Sequence, residues 1–351
     1  MHYFGGMSHD RLRHLTDRFG ELRIAVIGDF FLDRYLDVDP ALAEVSVETG
    51  KMAHQVVGVR SSPGAAGTVV CNLAALGAGA IHAVGFTGDD GESYELRKGL
   101  SLLGCKTDHL HCAPDRMTPT YLKPRDSSDP SLAGEHQRYD TKNRQVTPQP
   151  LRRLLLQSLE TLLPELHAVV VLDQVEEEDC GVVTAEVRDA LFRFAGQWPD
   201  VVFWADSRRR IRLFRGMIIK PNQFEAVGRE SPAPEENVAP AELEAAVRRL
   251  RSETGGPIVV TRGPRGMVVS DPEMTEVPGV RLDGPIDSTG AGDSATSGAV
   301  LALAAGATVP EAALVGNLVA SITVRQLATT GTAKPQQLPA QLDLWRNQQG
   351  C

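Results

Sequence analysis

The chain has 351 residues, 42% of them hydrophobic, with 36 basic and 45 acidic side chains for a net charge of -9. That much apolar material supports a core and excludes a disordered tail, and the acidic balance excludes a surface built to condense on nucleic acid or anionic lipid. The first twenty residues lack the apolar stretch of a secretory signal, and no apolar run reaches the ~20 residues of a membrane span. Five scattered cysteines (Cys71, Cys105, Cys112, Cys180 and Cys351) form no C-x-x-C pair. Together these features predict a cytoplasmic protein with reduced thiols.

In chain order, residues 1–21 read as an N-terminal extension. Arg23 to Gly28 reads as a buried first strand ending in Gly-Asp, the end at which open parallel sheets bind ligands. Residues 33–60 suit small antiparallel strands, Gly64 to Leu76 a glycine-rich loop entering a helix, and Ala80 to Gly88 the next strand. A hairpin is predicted over 110–142 around the turn-rich Asp126 to Ser131. Helices at 148–164, 180–197 and 239–254 then alternate with strands at Ala168–Leu172, Val201–Ala205, Met217–Ile219, Pro257–Thr261 and Gly266–Ser270. Such alternation builds an α/β fold, a mostly parallel sheet covered by helices on both faces. Asp293 to Thr323 reads as helical, Glu230 to Pro240 as a Pro-rich acidic loop, and 333–351 as a polar C-terminal tail.

The segment Asp287-Ser288-Thr289-Gly290-Ala291-Gly292-Asp293 carries the sharpest chemical signal. Glycines before a helix leave its first N–H groups free to face one anion, and the helix dipole favours negative charge there. Asp293, at the same helix start, can take a proton from a hydroxyl held beside that cradle. Phosphoryl transfer to an alcohol needs this pairing. A plain Gly-Ala-Gly turn with Asp293 as a helix cap is the bland alternative, and two acids framing the glycines argue against it. The same residues also fit the G-x-G-x-x-A dinucleotide fingerprint, but that motif belongs after the first strand of a β-α-β unit. No Walker loop is present, since Gly50-Lys51 is followed by Met52.

With these residues the chain resembles the ribokinase-like, PfkB-type carbohydrate kinases, whose D-T-x-G-A-G-D signature is matched with Ser288 in place of Thr. Gly28-Asp29 with Asp33, the sugar loop Pro63 to Asn72, and Asn222-Gln223-Phe224-Glu225 match further family motifs in the right order over 22–332. Within the family the nearest look is to kinases of D-glycero-D-manno-heptose 7-phosphate. The resemblance implies a ribokinase-like three-layer fold over 22–332. It adds a small β lid from about 34–60 and 110–140 that also pairs two copies into a homodimer. It implies Asp293 as catalytic base and the amides of Gly290, Ala291 and Gly292 as anion hole. ATP and Mg²⁺ would be held by Asn222 and Glu225, the latter through water, with Thr261, Gly263, Gly266 and Asn317 around the nucleotide. It leaves room for a monovalent cation. The sugar or sugar-phosphate acceptor would meet Asp29, Asp33, Gly64, Ala65, Thr68 and Lys123.

Taken alone, Asn222 and Glu225 read as a helix cap and an exposed acid, and Lys123, Arg125 and Arg138 as solvated charges on a hairpin, while Asp33 fits a surface pair with Arg34 as well as a sugar contact. Two positions depart from the family's G-G-x-x-x-N sugar loop: the second Gly is Ala65, and the Asn is Thr68, which offers one hydroxyl in place of an amide. The heptose-phosphate kinases also carry a Ser-Pro-Glu-x-Pro type lid segment, where this chain has Glu44 to Gly50. A non-catalytic sugar or nucleotide sensor on the same scaffold is therefore the first rival to a kinase, and a dinucleotide-dependent dehydrogenase the second. His109-Leu110-His111-Cys112 has no matching second pair for zinc.

Overall fold

In the computed structural model, residues 1–129, 134–230, 233, 236–327 and 331–350 are described. Cys351, part of the Glu230 to Pro240 loop and the end of the Asp126 to Ser131 turn lie outside them. The chain starts with β1 (His2–Tyr3) and α1 (His9–Asp17), which Ser8 caps by accepting from the Arg11 amide. Then come β2 (Arg23–Gly28), the long hairpin β3 (Phe30–Val45) and β4 (Met52–Ala65), and α2 (Ala66–Ala75). Next are β5 (Ala80–Thr87), α3 (Gly91–Leu102), β6 (Lys106–Cys112), β7 (Thr120–Asp126), β8 (Tyr139–Thr141) and α4 (Gln149–Leu162). They are followed by β9 (Ala168–Asp173), α5 (Ala185–Gln197), β10 (Val202–Ser207), β11 (Ile218–Ile219), α6 (Gln223–Val227) and α7 (Pro240–Thr254). The chain ends with β12 (Val259–Thr261), β13 (Met267–Val269), β14 (Thr275–Val277), α8 (Ala291–Ala304), α9 (Val309–Thr323) and α10 (Leu338–Gln349).

β2, β9 and β10 are almost wholly buried apolar runs, the composition of strands covered on both faces, and they lie in a parallel sheet of order β11-β10-β9-β2-β5-β6. One apolar core lies under α2, α8, α9 and the terminal segments, and a second under α4, α5 and α7. A smaller sheet, β1-β14-β13-β12, continues the first through single bridges from Ile219 to Ile258 and from Asn222 to Thr261. The lid is a third sheet, β4-β3-β7-β8. The helices cover both faces of the main sheet, as expected. Among the described residues no helix is long and apolar enough to cross a membrane, and Cys71, Cys105, Cys112 and Cys180 are free.

Several boundaries differ from the sequence reading. His109 to Cys112 belong to β6 at the edge of the main sheet, so the lid's second segment starts at Thr120 and not at 110. The helix predicted from 180 starts at 185, because Thr184 caps it by accepting from the Val187 amide. Neither terminus is detached. β1 pairs with β14, and Leu12 and Leu15 of α1 are buried. Leu338, Leu342 and Trp345 of α10 form an i, i+4, i+7 stripe, also buried, so the apparently polar tail is an amphipathic helix.

Ala65, where β4 enters α2, has φ 52° and ψ -117°. An L-residue is strained there and glycine is not. Ala65→Gly is expected to stabilise the fold by about 1 kcal/mol, read from urea denaturation midpoints at unchanged slope.

Candidate active site

Gly290 caps α8 in the left-handed region, φ 74°, which turns the chain so that the helix start faces the carboxyl ends of the sheet strands. The Ser294 amide already bonds to Gly290 O, and the Ala291 amide donates to Ser288 O at 3.1 Å. Of the expected Gly290, Ala291 and Gly292 amides, the middle one is thus engaged within the protein. Ala291 spends its N–H inside the turn, and the orphan donors of the first helical turn fall to Gly292 and Asp293.

Asp293 is half-buried at this helix start. Burial, then repulsion from Asp206, pushes its carboxyl up to about 7, against the pull of Lys220 and Arg208. Asp33 pushes in the same direction, so the lid acid and the helix acid lie within electrostatic reach. Lys220 was not visible in the sequence as a functional residue. It is buried, pairs with Asp206 Oδ2 at 2.7 Å, and its Nζ sits 3.5 Å from where a Cβ on Gly292 would stand. Burial works against its charge, but Asp206, Glu225 and Asp293 together hold its pKa above the ordinary lysine value.

Asn222 and Glu225 form a reciprocal capping box on α6. Asn222 Oδ1 accepts from the Phe224 and Glu225 amides, and Glu225 Oε2 accepts from the Asn222 amide at 2.7 Å. The local capping alternative therefore holds, but Glu225 is half-buried rather than exposed. Burial raises its pKa against the Asn222 amide, and Asp206 raises it further. Crowded carboxylates of this kind are relieved by a hard cation. Among the described residues no three His, Cys, Asp or Glu side chains converge as a metal cage. Asp206 and Glu225 present oxygen donors, the type that Mg²⁺ takes.

Asn222 bridges to Thr261, and beyond it lies a cavity of about 250 Å³ between the β12–β13 turn and α8 and α9. Thr261, Gly263, Gly266 and Asn317 all line it. Gly266 has φ 82°, and a Cβ there would come within 2.3 Å of Val277 O, so only glycine fits. Asn317 is buried and donates to Val277 O and Pro278 O at 3.1 Å each.

On the lid side Asp33 pairs with Lys123 at 3.1 Å, their side chains only 12% and 13% exposed. Both the surface-pair reading of Asp33 and the solvated reading of Lys123 are corrected. Strand alternation explains this: Arg34 turns to the opposite face and pairs with Glu92 of α3. Lys123 also lies 5.0 Å from the Tyr35 ring centroid and 3.4 Å from its hydroxyl. Although burial opposes it, Asp33 and Tyr35 keep its pKa above the ordinary value. A Cβ at Gly64 would stand 2.8 Å from Asp33 Oδ2, so a side chain there would displace this carboxylate. Arg138 is held by Asp140, and Arg125 donates to Asp129 O.

Asp29 is placed differently from the expectation. Its oxygens accept from the Gln174, Val175 and Val182 amides at 2.7 to 3.0 Å, so it ties down the 174–182 loop instead of facing a sugar. Burial and then Asp173 push its carboxyl up to about 6, against those amides. Thr68 is 3% exposed within α2, and its carbonyl accepts from Asn72 Nδ2. Beneath the site Arg210 clamps Asp173 at 2.7 Å.

Solved structures of this architecture include ribokinase from Arabidopsis thaliana complexed with ribose and ATP. The likeness has a TM-score of 0.64 at 15% identity, covering 92% of this chain and 98% of that one. Another is phosphofructokinase-2 from Escherichia coli in complex with substrates and products, with a TM-score of 0.67 at 18% identity, covering 92% and 99%. The fold is therefore ribokinase-like. The family model for pfkB family carbohydrate kinases matches residues 22–336, and the chain belongs to that family. Curated relatives include the bifunctional protein HldE of Stutzerimonas stutzeri, 30% identical over 325 residues, and that of Pseudomonas entomophila, 32% identical over 330. Each match covers 91% of this chain but only 63% of the relative. The Gly-rich signature follows β14 and not a first β-α-β unit, which removes the dehydrogenase reading.

Proposed function

We propose that the chain transfers the γ-phosphoryl group of ATP to a hydroxyl of a sugar or sugar phosphate. Asp293 carries this reading: a carboxylate at a helix start, raised to about 7 by burial and Asp206, with Lys220, Arg208 and Asp33 also within electrostatic reach. Asp293 takes the acceptor's hydroxyl proton as the oxygen attacks the γ-phosphorus, and the bond to the β,γ-bridging oxygen breaks to release ADP. The Gly292 and Asp293 amides and the Lys220 ammonium meet the charge on the transferred group. Mg²⁺, when bound beside Asn222 and Glu225, would neutralise phosphate charge. The nucleotide lies in the cavity lined by Thr261, Gly263, Gly266 and Asn317. Asp33 accepts from acceptor hydroxyls, and Lys123 is placed to meet an acceptor's anionic group once Asp33 shares it.

A heptose phosphate heads the acceptor candidates, on the likeness of the N-terminal motifs to the heptose 7-phosphate kinases and the relationship to HldE. A lid-mediated homodimer is supported by exposed Val56, Val57 and Val59 on β4, and sedimentation tests it. ADP release from MgATP across pentoses, hexoses, heptoses and their phosphates tests the activity. Turnover with one acceptor class, lost in Asp293→Asn, supports the kinase. Nucleotide binding without turnover on any acceptor is the result the sensor reading requires.

A further inference from the structure

Three consecutive arginines follow β10, and they are spent unequally. Arg210 is committed: it pairs with Asp173 at 2.7 Å and donates to Glu176 O at 2.9 Å. Arg209 lies between two acids, 3.3 Å from Glu176 Oε2 and 3.5 Å from Glu230 Oε2. Arg208 has its backbone fixed, the amide donating to Asp173 O at 3.0 Å, but not its side chain. Among the described residues its guanidinium makes no hydrogen bond. Its one ion pair is with Glu176 Oε1 at 3.7 Å, between side chains 50% and 38% exposed.

Arg208 lines a cleft of about 350 Å³ together with Glu176, Asn222 and Glu225. It stands two residues beyond Asp206, the partner of Lys220, and so approaches the site from the same strand end. Burial raises the carboxyls of Asp293 and Glu225, and Arg208 is among the cations that oppose this at both. One guanidinium thus lies within electrostatic reach of the acid proposed to take the acceptor's proton and of the acid proposed to stand beside Mg²⁺. On that reading the donor's terminal phosphates lie between these two acids. Glu176 cannot follow Arg208 toward them, because its loop is pinned. Asp29 accepts from the Gln174 and Val175 amides at 2.8 and 3.0 Å, and Arg210 holds the Glu176 carbonyl.

We infer that Glu176 stands in for the donor's terminal phosphates: it holds Arg208 at the edge of the cleft, and a phosphate group takes the guanidinium from it. The inference rests on the proposed phosphoryl transfer and adds to it a cation that lies outside the matched motifs. The magnitudes favour the exchange. An ion pair this exposed holds its partner by about fivefold at most. Guanidinium-to-phosphate hydrogen bonds are charge-assisted and bidentate, and losing them costs binding about 10- to 100-fold.

The test is calorimetric titration of the full chain, without acceptor and at low ionic strength, with MgATP and with AMP, which lacks the β and γ phosphates. Arg208→Gln should weaken MgATP binding about 10- to 100-fold and leave AMP binding unchanged, with Arg208→Lys in between. Glu176→Gln should tighten MgATP binding about two- to fivefold, and this gain should vanish when it is combined with Arg208→Gln. A gain that persists in the double variant would assign the cation to Arg209 and overturn the inference. So would equal losses for AMP and MgATP, which mark a structural role, or MgATP binding left unchanged by Arg208→Gln, or unchanged or weakened by Glu176→Gln. If the parent chain binds no MgATP, the proposed function falls and the inference with it. Absence of these effects in a parent that does bind MgATP sinks the inference alone.

Discussion

Asp293→Asn lowers acceptor-dependent ADP release by about 10²- to 10⁴-fold, the usual cost of losing a general base, while MgADP affinity is retained. The substitution keeps the size and the helix start and removes only the proton acceptor. Because burial and Asp206 bring the parent carboxyl to about 7, kcat/KM rises as pH increases through about 7 and then levels off. Stability runs the other way. The folded carboxyl titrates above its ordinary 3.8, so between about pH 4 and about 7 the native state holds a proton that the unfolded chain has released. Stability from this group is therefore full below about pH 4 and declines to a lower level by about 7. Asp293→Asn lacks this decline, so its melting temperature relative to the parent grows across that window. Full turnover in the variant would remove Asp293 from the chemistry, and parallel pH profiles of stability would show that its carboxyl is not perturbed.

Lys220→Met is expected to lose both turnover and stability. The lysine is buried against Asp206 at 2.7 Å, and Asp206 is itself only 15% exposed on its side chain. Breaking a pair of this kind by removing one partner leaves an uncompensated charge and costs about 3–5 kcal/mol. The double variant Lys220→Met with Asp206→Asn removes that charge and should recover most of the stability in urea denaturation. Turnover should not recover, because the ammonium that stood beside Gly292 at the start of α8 is lost. A double variant that regained both would make Lys220 a structural residue alone. This comparison separates the two roles, which the single substitution confounds.

The local features of the site were legible because they are properties of a few consecutive residues. Gly290 is where the backbone must turn left-handed, and Asp293 is where a short acid lands on the first helical turn. Asn222 and Glu225 stand at the i, i+3 spacing of a capping box. The buried β-branched runs announced the parallel sheet for the same reason, since their cover follows from composition. Ala65 is an intermediate case: the sequence marked it as a departure from a glycine, and the backbone angle shows the strain that this departure carries.

What a side chain pairs with was a different matter. Asp33 chooses Lys123 over its neighbour Arg34 because strands β3 and β7 lie side by side and put the two on one face. Asp29, read as a sugar contact, is consumed by three amides from the loop after β9, which only the strand order β9-β2 brings to it. Lys220 looks like any lysine until β10 delivers Asp206 and α8 delivers Gly292 to its side. The apparently polar C-terminal tail becomes part of the fold once α10 docks Trp345 and Gln348 against Pro278 and Arg281. The sequence by itself determined the α/β class, the family motifs and the order of the phosphate-binding turn, all of which rest on backbone geometry and hydrophobic pattern over short range. Only the tertiary structure decided which charges are buried, what neutralises them and which polar groups remain free for a ligand, because desolvation and pairing depend on chain segments that meet only after folding.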